Sequence, residues 1–412
     1  MKHVLIIGAG AAGLMAAVSA AEAGAQVTVL EKMSSPGRKL LITGKGRCNI
    51  TNACEVAELI ANMPGNGRFL HSAYRAFNNL DLINWMNSHG VATKVERGGR
   101  IFPVSDKAAD VVNAFVRTLG KLNVTILTGQ AVQKLIIDEK GVQGAVTDSG
   151  TYTGDAVIIA TGGATYPGTG SSGDGYKLAR QAGHTVTAIK PSLVPLEVGE
   201  EWIGELQGLS LKNVTATALV GGKKVAEDFG EMLFTHYGLS GPIILSLSKY
   251  VAEALEQKKG DVQIEINLKP ALSEEVLDKR IQRDWEKFSR KQVKNSLVEL
   301  LPAKLIPVII DLAYLNPDTF INQITKGERQ RLLKLLQHLS FTITKTRPVS
   351  EAIVTAGGVS IKEINPSTME SKLVGNLYVV GELLDVDGYT GGYNLQAAFS
   401  TGYVAGKAAA IE

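Results

Sequence analysis

The sequence predicts an α/β fold built on a parallel sheet and interrupted by an insertion, and three observations predict it. A short apolar run at residues 4–7 leads through Gly8-Ala9-Gly10-Ala11-Ala12-Gly13 into an alanine-rich segment and a second apolar run that ends at Glu31. After Pro191 the texture changes to alternating strand-like segments and then to a long helical stretch. From Val374 the first texture returns, with Leu377-Tyr378-Val379-Val380 followed by Gly381-Glu382. A nucleotide-binding domain of Rossmann type, closed only after an inserted β-plus-helical region, accounts for that order. The boundaries read from these changes are 1–190 with 344–412 for the nucleotide domain, 191–269 with 338–343 for the inserted β region, and 270–337 for the helical insert.

Each element has a local reason. Residues 4–7 are uniformly apolar, as in a strand covered on both faces. Residues 14–23 are rich in alanine and stop at Gly24, which suits a helix and its C-terminal cap. Residues 26–30 form the next strand, and the whole is a βαβ unit of about thirty residues. Between residues 123 and 160, segments 124–127, 133–137, 144–147 and 156–160 are separated by turns such as Glu139-Lys140-Gly141 and Asp148-Ser149-Gly150, a β-meander that returns to an apolar strand. Residues 193–198, 214–220 and 262–268 read as strands, and the weak alternation of 214–220 suits a barrel or sandwich. Pro270 opens a helical stretch reaching about His338, where Val276, Leu277, Ile281, Trp285 and Phe288 recur at helical spacing behind a Ser273 N-cap.

Composition bounds the partners. Of 412 residues, 43 are Lys or Arg and 40 are Asp or Glu, so a net charge of +3 gives no global attraction to nucleic acid or membrane. No apolar run approaches the length of a membrane span, and the apolar start is too short for a secretory signal. Two cysteines make no disulfide framework, so a cytoplasmic location is expected. No metal site is read from the sequence.

The chemistry begins at residues 8–13, a G-x-G-x-x-G fingerprint. Gly8 permits the tight turn, Gly10 lets a pyrophosphate approach the backbone, and Gly13 lets helix and strand pack closely, with Ala11 and Ala12 opening the helix. Glu31 lies 23 positions beyond Gly8, where a ribose-binding carboxylate is expected. A second match, Gly168-Thr169-Gly170-Ser171-Ser172-Gly173, follows Tyr166-Pro167 instead of a strand and reads as a turn. Three further segments point to FAD. Residues 37–49, which include Arg38, Lys39, Gly44, Arg47, Cys48 and Asn49, combine cations able to meet phosphate or a flavin carbonyl with glycines that allow close approach. The strand ending in Ala160-Thr161-Gly162 offers a small-residue turn. Finally, Gly381-Glu382 offers a carboxylate for a ribityl hydroxyl, and Gly392-Tyr393-Asn394 opens a helix whose N–H groups suit a flavin pyrimidine.

The runs at residues 37–52, Phe234-Thr235-His236-Tyr237-Gly238-Leu239-Ser240-Gly241-Pro242 and Gly388-Tyr389-Thr390-Gly391-Gly392-Tyr393-Asn394 together resemble the BaiN/YhiN-like flavoproteins. The resemblance spans essentially the whole chain. It implies noncovalent FAD on a Rossmann-type domain, with an inserted β-barrel and helical bundle. It also implies Lys32 and the backbone at Val132 as cofactor neighbours beside the residues above. Members of that family carry different chemistry, including reduction of dehydro-bile-acid double bonds and oxidation of aminoacetone, so the resemblance fixes the cofactor better than the reaction.

The reactive candidates are fewer. Cys48 and Cys54 have five residues between them, whereas the active pair of disulfide reductases has four, and they read as loop residues. His236 and Tyr237 are the catalytic candidates, for binding substrate or moving a proton. Arg280, Arg283, Lys287, Arg290, Lys291 and Lys294 fall at steps of three and four and would make one basic helix face, able to meet an anionic substrate or RNA. The expected activity is hydride transfer between flavin and a small organic substrate bound between the domains, with NADPH or NADH as transient donor. An oxygen-dependent amine oxidase and a flavin-containing RNA-binding module are the alternatives.

Overall fold

The strand His3–Ile7 is the middle of a five-stranded, all-parallel sheet in the computed structural model, which describes residues 1–411. Across the sheet the order is Leu377–Val379, Ala156–Ile159, His3–Ile7, Gln26–Glu31, Thr125–Thr128. The chain therefore builds outward on one side of His3–Ile7 and then crosses to the other. Strand order reverses between His3–Ile7 and Ala156–Ile159, and the crevice beyond the carboxyl ends of such a pair is where this architecture binds ligands. All four residues of Ala156–Ile159 are buried, as a strand with two covered faces requires.

The helix Ala11–Glu22 packs on the C-terminal helix Tyr393–Ala410 through small residues. A Cβ on Gly402 would fall 2.2 Å from the Ala12 carbonyl oxygen, and one on Gly406 2.2 Å from that of Ala16. The alanine-rich sequence of both helices is thus a packing requirement as well as a helix preference. The meander is Val132–Asp138, Gly141–Thr147 and Gly150–Thr153, paired antiparallel. A second small sheet joins Thr51–Asn52, Arg100–Pro103 and Thr93–Glu96.

Two compact units result: Met1–Ser192 with Val349–Glu412, and Leu193–Pro348. The second contains a closed six-stranded antiparallel barrel of Leu196–Val198, Gly238–Ser240, Lys223–Phe234, Ser210–Val220, Val262–Asn267 and Leu339–Thr346. Val262, Ile264 and Ile266 point inward, as do Leu339, Phe341 and Ile343, following the period of two. The helices Pro242–Glu256, Glu274–Lys287, Ile306–Leu312 and Lys326–Gln337 share one hydrophobic core with it.

Two expectations of detail are corrected. The strand expected at 193–198 is broken, because Leu193 takes a φ of +55° between Lys190–Ser192 and Leu196–Val198. The helix bearing the basic residues ends at Lys287, so Arg290, Lys291 and Lys294 share no helical face with Arg280 and Arg283. Burial of Val293, Leu297 and Leu301 draws the chain inward there, and the Val293 N–H donates to the Thr319 carbonyl at 3.0 Å.

Candidate functional site

The glycine turn sits at the carboxyl end of His3–Ile7, and its three glycines differ physically. Gly8 has φ +103°, and a Cβ there would be 2.6 Å from the Ala160 carbonyl oxygen. A Cβ on Gly13 would be 1.9 Å from the Gly8 carbonyl oxygen. Both are demanded by the fold itself. Gly10 has an ordinary φ of −80°, and a Cβ there would meet nothing within 4 Å. The fold leaves that face bare. The helix it opens, Ala11–Glu22, has no side-chain cap and no acid in its first turn, so its leading N–H groups and positive dipole end face the same space. An uncapped helix start behind a bare glycine fits a pyrophosphate.

Glu31 ends the neighbouring strand and is buried. Its Oε2 accepts the Ala9 N–H at 2.7 Å and its Oε1 the Met33 N–H at 2.8 Å, which fixes the carboxylate against the glycine turn. Each oxygen keeps a lone pair for a ribose hydroxyl. The Gln130 N–H donates to the Glu31 carbonyl at 2.9 Å, bringing the start of the meander, two residues before Val132, to this strand end. Lys32 pairs with Asp174 at 2.6 Å and also bonds Ser172, so its charge is committed to the start of the helix Asp174–Gln181. The stretch at 168–173 is a turn, with Gly170 at φ +109° and Gly173 at φ +81°, and no strand leads into it.

In the basic loop, Gly37 opens the short helix Arg38–Ile42. Lys39 Nζ donates to Glu382 Oε2 at 2.6 Å and to Thr165 Oγ1 at 2.7 Å. Glu382 Oε1 accepts the Thr355 N–H at 2.9 Å. The Glu382 carboxylate is thus held by the protein's own donors. Thr165 and Thr355 escaped the sequence reading because nothing local marks either of them: Thr165 meets Lys39 across 126 positions and Thr355 meets Glu382 across 27. Arg47 turns away to Glu96 at 2.9 Å and Asp106 at 3.1 Å, with its guanidinium 4.0 Å over the Phe102 ring. Gly44 takes φ +60°, and its Cβ would be 3.0 Å from the Asn49 amide nitrogen. Cys48 and Cys54 are both free. Burial pushes the Cys48 thiol up to about 12, and burial with Glu58 and Glu55 nearby pushes Cys54 up to about 11, so neither is a thiolate at neutral pH.

The remaining segments close on the same sheet edge. The strand Ala156–Ile159 runs into Ala160, Thr161 and Gly162, with Gly162 at φ +73°. The Thr161 hydroxyl is buried with no hydrogen-bond partner among the described residues and packs against Gly175, where a Cβ would fall 2.0 Å from it. Gly381, at φ +69°, would place a Cβ 2.9 Å from that of Ala12. Gly392, at φ +98°, leaves room for the Thr51 carbonyl, which a Cβ would meet at 2.4 Å. The helix Tyr393–Ala410 starts there, again with no side-chain cap and no acid in its first turn. Asn394 braces the approach, accepting the Gly388 N–H at 2.8 Å and donating to the Gly388 and Tyr389 carbonyls at 2.8 and 3.2 Å. With its amide oriented to satisfy its neighbours, Asn49 accepts the Gly392 N–H at 3.0 Å. Burial first, then the nearby Cys54 and Glu58, pushes the Tyr393 hydroxyl up to about 12.

His236 and Tyr237 lie in the barrel unit, in the turn between Lys223–Phe234 and Gly238–Ser240. Their rings meet edge to face at 4.8 Å. The Arg347 guanidinium covers the Tyr237 ring at 4.6 Å and is itself held by Glu197 at 2.6 Å. The basic stretch is largely neutralised. Arg283 pairs with Asp284 at 3.2 Å, Lys287 with Glu299, and Lys294 with Asp318 at 2.6 Å.

A family model described as HI0933-like protein Rossmann domain matches residues 2–408. Among curated relatives, the 3-dehydro-bile acid delta(4,6)-reductase of Clostridium scindens is 35% identical over 412 residues, covering 100% of this chain and 99% of that one. The ribosomal RNA dihydrouridine synthase of Escherichia coli is 34% identical over 400 residues, covering 97% and 96%. In fold, the chain is similar to the 3-ketosteroid-delta4-(5alpha)-dehydrogenase of Rhodococcus jostii RHA1, with a TM-score of 0.54 at 16% identity over 100% of this chain and 97% of that one. No helix among the described residues is long and apolar enough to cross a membrane. With the family model matching nearly the full chain, and with an uncapped helix start behind the bare face of Gly10, this chain belongs to the HI0933-like Rossmann family and is an FAD-dependent oxidoreductase.

Proposed function

We propose that the protein reduces a carbon–carbon double bond conjugated to a carbonyl, with NADPH or NADH as the source of electrons. The observation that carries this reading is a shared chemistry. The chain is almost equally similar, end to end, to a relative named for reducing double bonds in a 3-oxo steroid and to one named for saturating the uracil ring. In both names the bond reduced is made electron-poor by a carbonyl. When bound, FAD supplies the hydride such a bond accepts at its β-carbon.

The chain's own residues divide the remaining tasks. The bare face of Gly10 and the start of Ala11–Glu22 would hold the pyrophosphate, and Glu31 the adenosine ribose. The uncapped start of Tyr393–Ala410 would face the electron-poor end of the flavin and favour negative charge there. A proton must reach the α-carbon to complete the reduction, and His236 or Tyr237 would supply it.

The test is anaerobic. NADPH or NADH is added to the FAD-loaded protein until the flavin absorbance bleaches, and a steroid enone or a uridine-containing RNA is then supplied. Recovery of the flavin bands with formation of the saturated product supports the reading. Recovery only with air, yielding peroxide and following bleaching by a small amine, replaces it with the amine-oxidase alternative.

A further inference from the structure

Lys39 and Glu382 lie 343 positions apart in the sequence and meet at 2.6 Å. Both are anchored to the glycine turn. Lys39 follows Gly37, whose N–H donates to the Ala9 carbonyl at 2.9 Å. Glu382 follows Gly381, where a Cβ would fall 2.9 Å from that of Ala12. The other groups that meet the carboxylate are neutral. Thr165 Oγ1 lies 3.3 Å from its Oε1, and the Thr355 N–H donates to the same oxygen at 2.9 Å. The Ala164 N–H holds the Thr355 hydroxyl at 2.9 Å, and a Cβ on Gly163 would fall 3.0 Å from Oε1, so main chain closes that side. Burial first, then the Glu382 charge, pushes the Tyr176 hydroxyl above its ordinary range, which keeps it protonated. Lys39 is the only cation paired with Glu382 among the described residues.

Stability alone does not account for an ion pair here. The two side chains are 24% and 19% exposed, and apolar residues of similar size often join such segments as well or better. Thr165 and Thr355 already fix the carboxylate without a cation. What Lys39 adds is one positive charge at a defined place. A hydride carries two electrons and one proton, so each one accepted brings one net negative charge into the crevice. An uncompensated carboxylate beside the glycine turn would oppose that charge, and with little water between them the opposition reaches across several ångströms. Glu382 keeps a lone pair on Oε2 for a cofactor hydroxyl, while Lys39 offsets the charge that comes with it.

We propose that Lys39 is a positioning residue for hydride transfer, acting through Glu382: the pair sets the reduction potential of the bound flavin, with Lys39 raising it and Glu382 lowering it. The proposal requires FAD as the cofactor and holds whichever acceptor the reaction uses. A residue that only braces the fold affects the oxidised and reduced cofactor alike. A residue that sets the potential favours one of the two states, and the midpoint potential measures that preference.

The experiment needs no turnover. FAD-loaded, full-length protein is reduced anaerobically with dithionite beside a reference dye, and the midpoint is read from the two absorbance spectra. In Lys39→Met the carboxylate keeps the Thr355 N–H and stays ionised without its cation. Affinity for the reduced cofactor should fall at least tenfold relative to the oxidised one, a drop of about 30 mV or more for a two-electron couple. Glu382→Gln leaves Lys39 unopposed and should raise the midpoint by a similar amount. The double variant restores the net charge, so its midpoint should lie closer to the wild type than that of either single variant. Lys32→Met removes a cation paired with Asp174 at 2.6 Å beside the Glu31 strand end and should leave the midpoint unchanged. Shifts of the same sign in the two single variants, an unchanged midpoint in either, or an equal fall in Lys32→Met would overturn the proposal. Should Lys39→Met fail to hold FAD, Glu382→Gln still decides, because its midpoint rises only if the carboxylate opposes reduction. No acceptor enters the measurement, so failure to reduce any double bond would overturn the reading of the reaction and leave this result standing.

Discussion

Replacing Gly10 and Gly13 separately by alanine should split one motif into two different defects. At Gly10 the backbone already has φ −80°, which alanine adopts without strain, and the added Cβ would meet nothing within 4 Å. The cofactor-free protein should therefore keep its stability or gain about 0.4–1 kcal/mol, because alanine restricts the unfolded chain. The cost should fall on the cofactor, since the methyl group occupies the face where a pyrophosphate would approach the backbone. Overpacking of about 1–3 kcal/mol there corresponds to roughly 5- to 150-fold weaker FAD binding. At Gly13 the added Cβ would lie 1.9 Å from the Gly8 carbonyl oxygen, and a backbone atom cannot swing aside as a side chain does. That helix start must shift, so Gly13→Ala should lower the stability of the cofactor-free protein by a similar 1–3 kcal/mol and weaken FAD as a secondary effect. Thermal unfolding of both apo variants and FAD titration by fluorescence quenching read the two quantities. Wild-type FAD affinity in Gly10→Ala would refute the assignment of that face to the cofactor.

Further outcomes follow from other parts of the molecule. A thiol reagent should count Cys54 in the native protein and Cys48 only on unfolding, with the same total of two before and after chemical reduction; two thiols appearing only after reduction would contradict the free state of the pair. Hydrogen bonds from Arg47 to Glu96 and from Lys94 to Asp106 hold both carboxyls below their ordinary range. A depressed carboxyl stabilises the fold above its unfolded value of about 4 and loses that contribution as pH falls through the folded value. Asp106→Asn should therefore flatten the fall in melting temperature below about pH 4, and an unchanged acid limb would count against the network. One of His236→Ala and Tyr237→Phe should slow reoxidation of reduced flavin by the acceptor about a hundredfold or more, the low end for loss of general acid catalysis. Stopped-flow traces matching the wild type in both variants would remove these residues from the reaction.

The sheet and its fingerprint were legible because their signals are local. An apolar run, a glycine turn and an alanine-rich helix occur within thirty residues, and the strand pairing of His3–Ile7 with Gln26–Glu31 follows from them. The return of that texture near Leu377 located the last strand for the same reason. The closed barrel was less legible, since its antiparallel register depends on partners such as Leu196–Val198 and Leu339–Thr346, more than 140 residues apart. The end of the helix at Lys287 was hidden because basic residues continued at helical spacing while the buried positions, beginning with Val293, did not. Contacts that shape the candidate site were hidden by the same distance in sequence. Lys39 meets Glu382 across 343 positions and Asn52 meets Gly391 across 339, with the inserted unit between them in the sequence. Spacing can nominate a cation or a carboxylate, but it carries no sign of which of them the protein keeps for itself.

The central claim is that the crevice at the Gly8 to Gly13 turn holds FAD. The most direct measurement is the absorbance spectrum of the purified protein, followed by reconstitution of any cofactor-free fraction with FAD. Flavin absorbance bands are expected, from a cofactor released as intact FAD on denaturation, and restored by adding FAD back. A protein without those bands that takes up no FAD on reconstitution would contradict it.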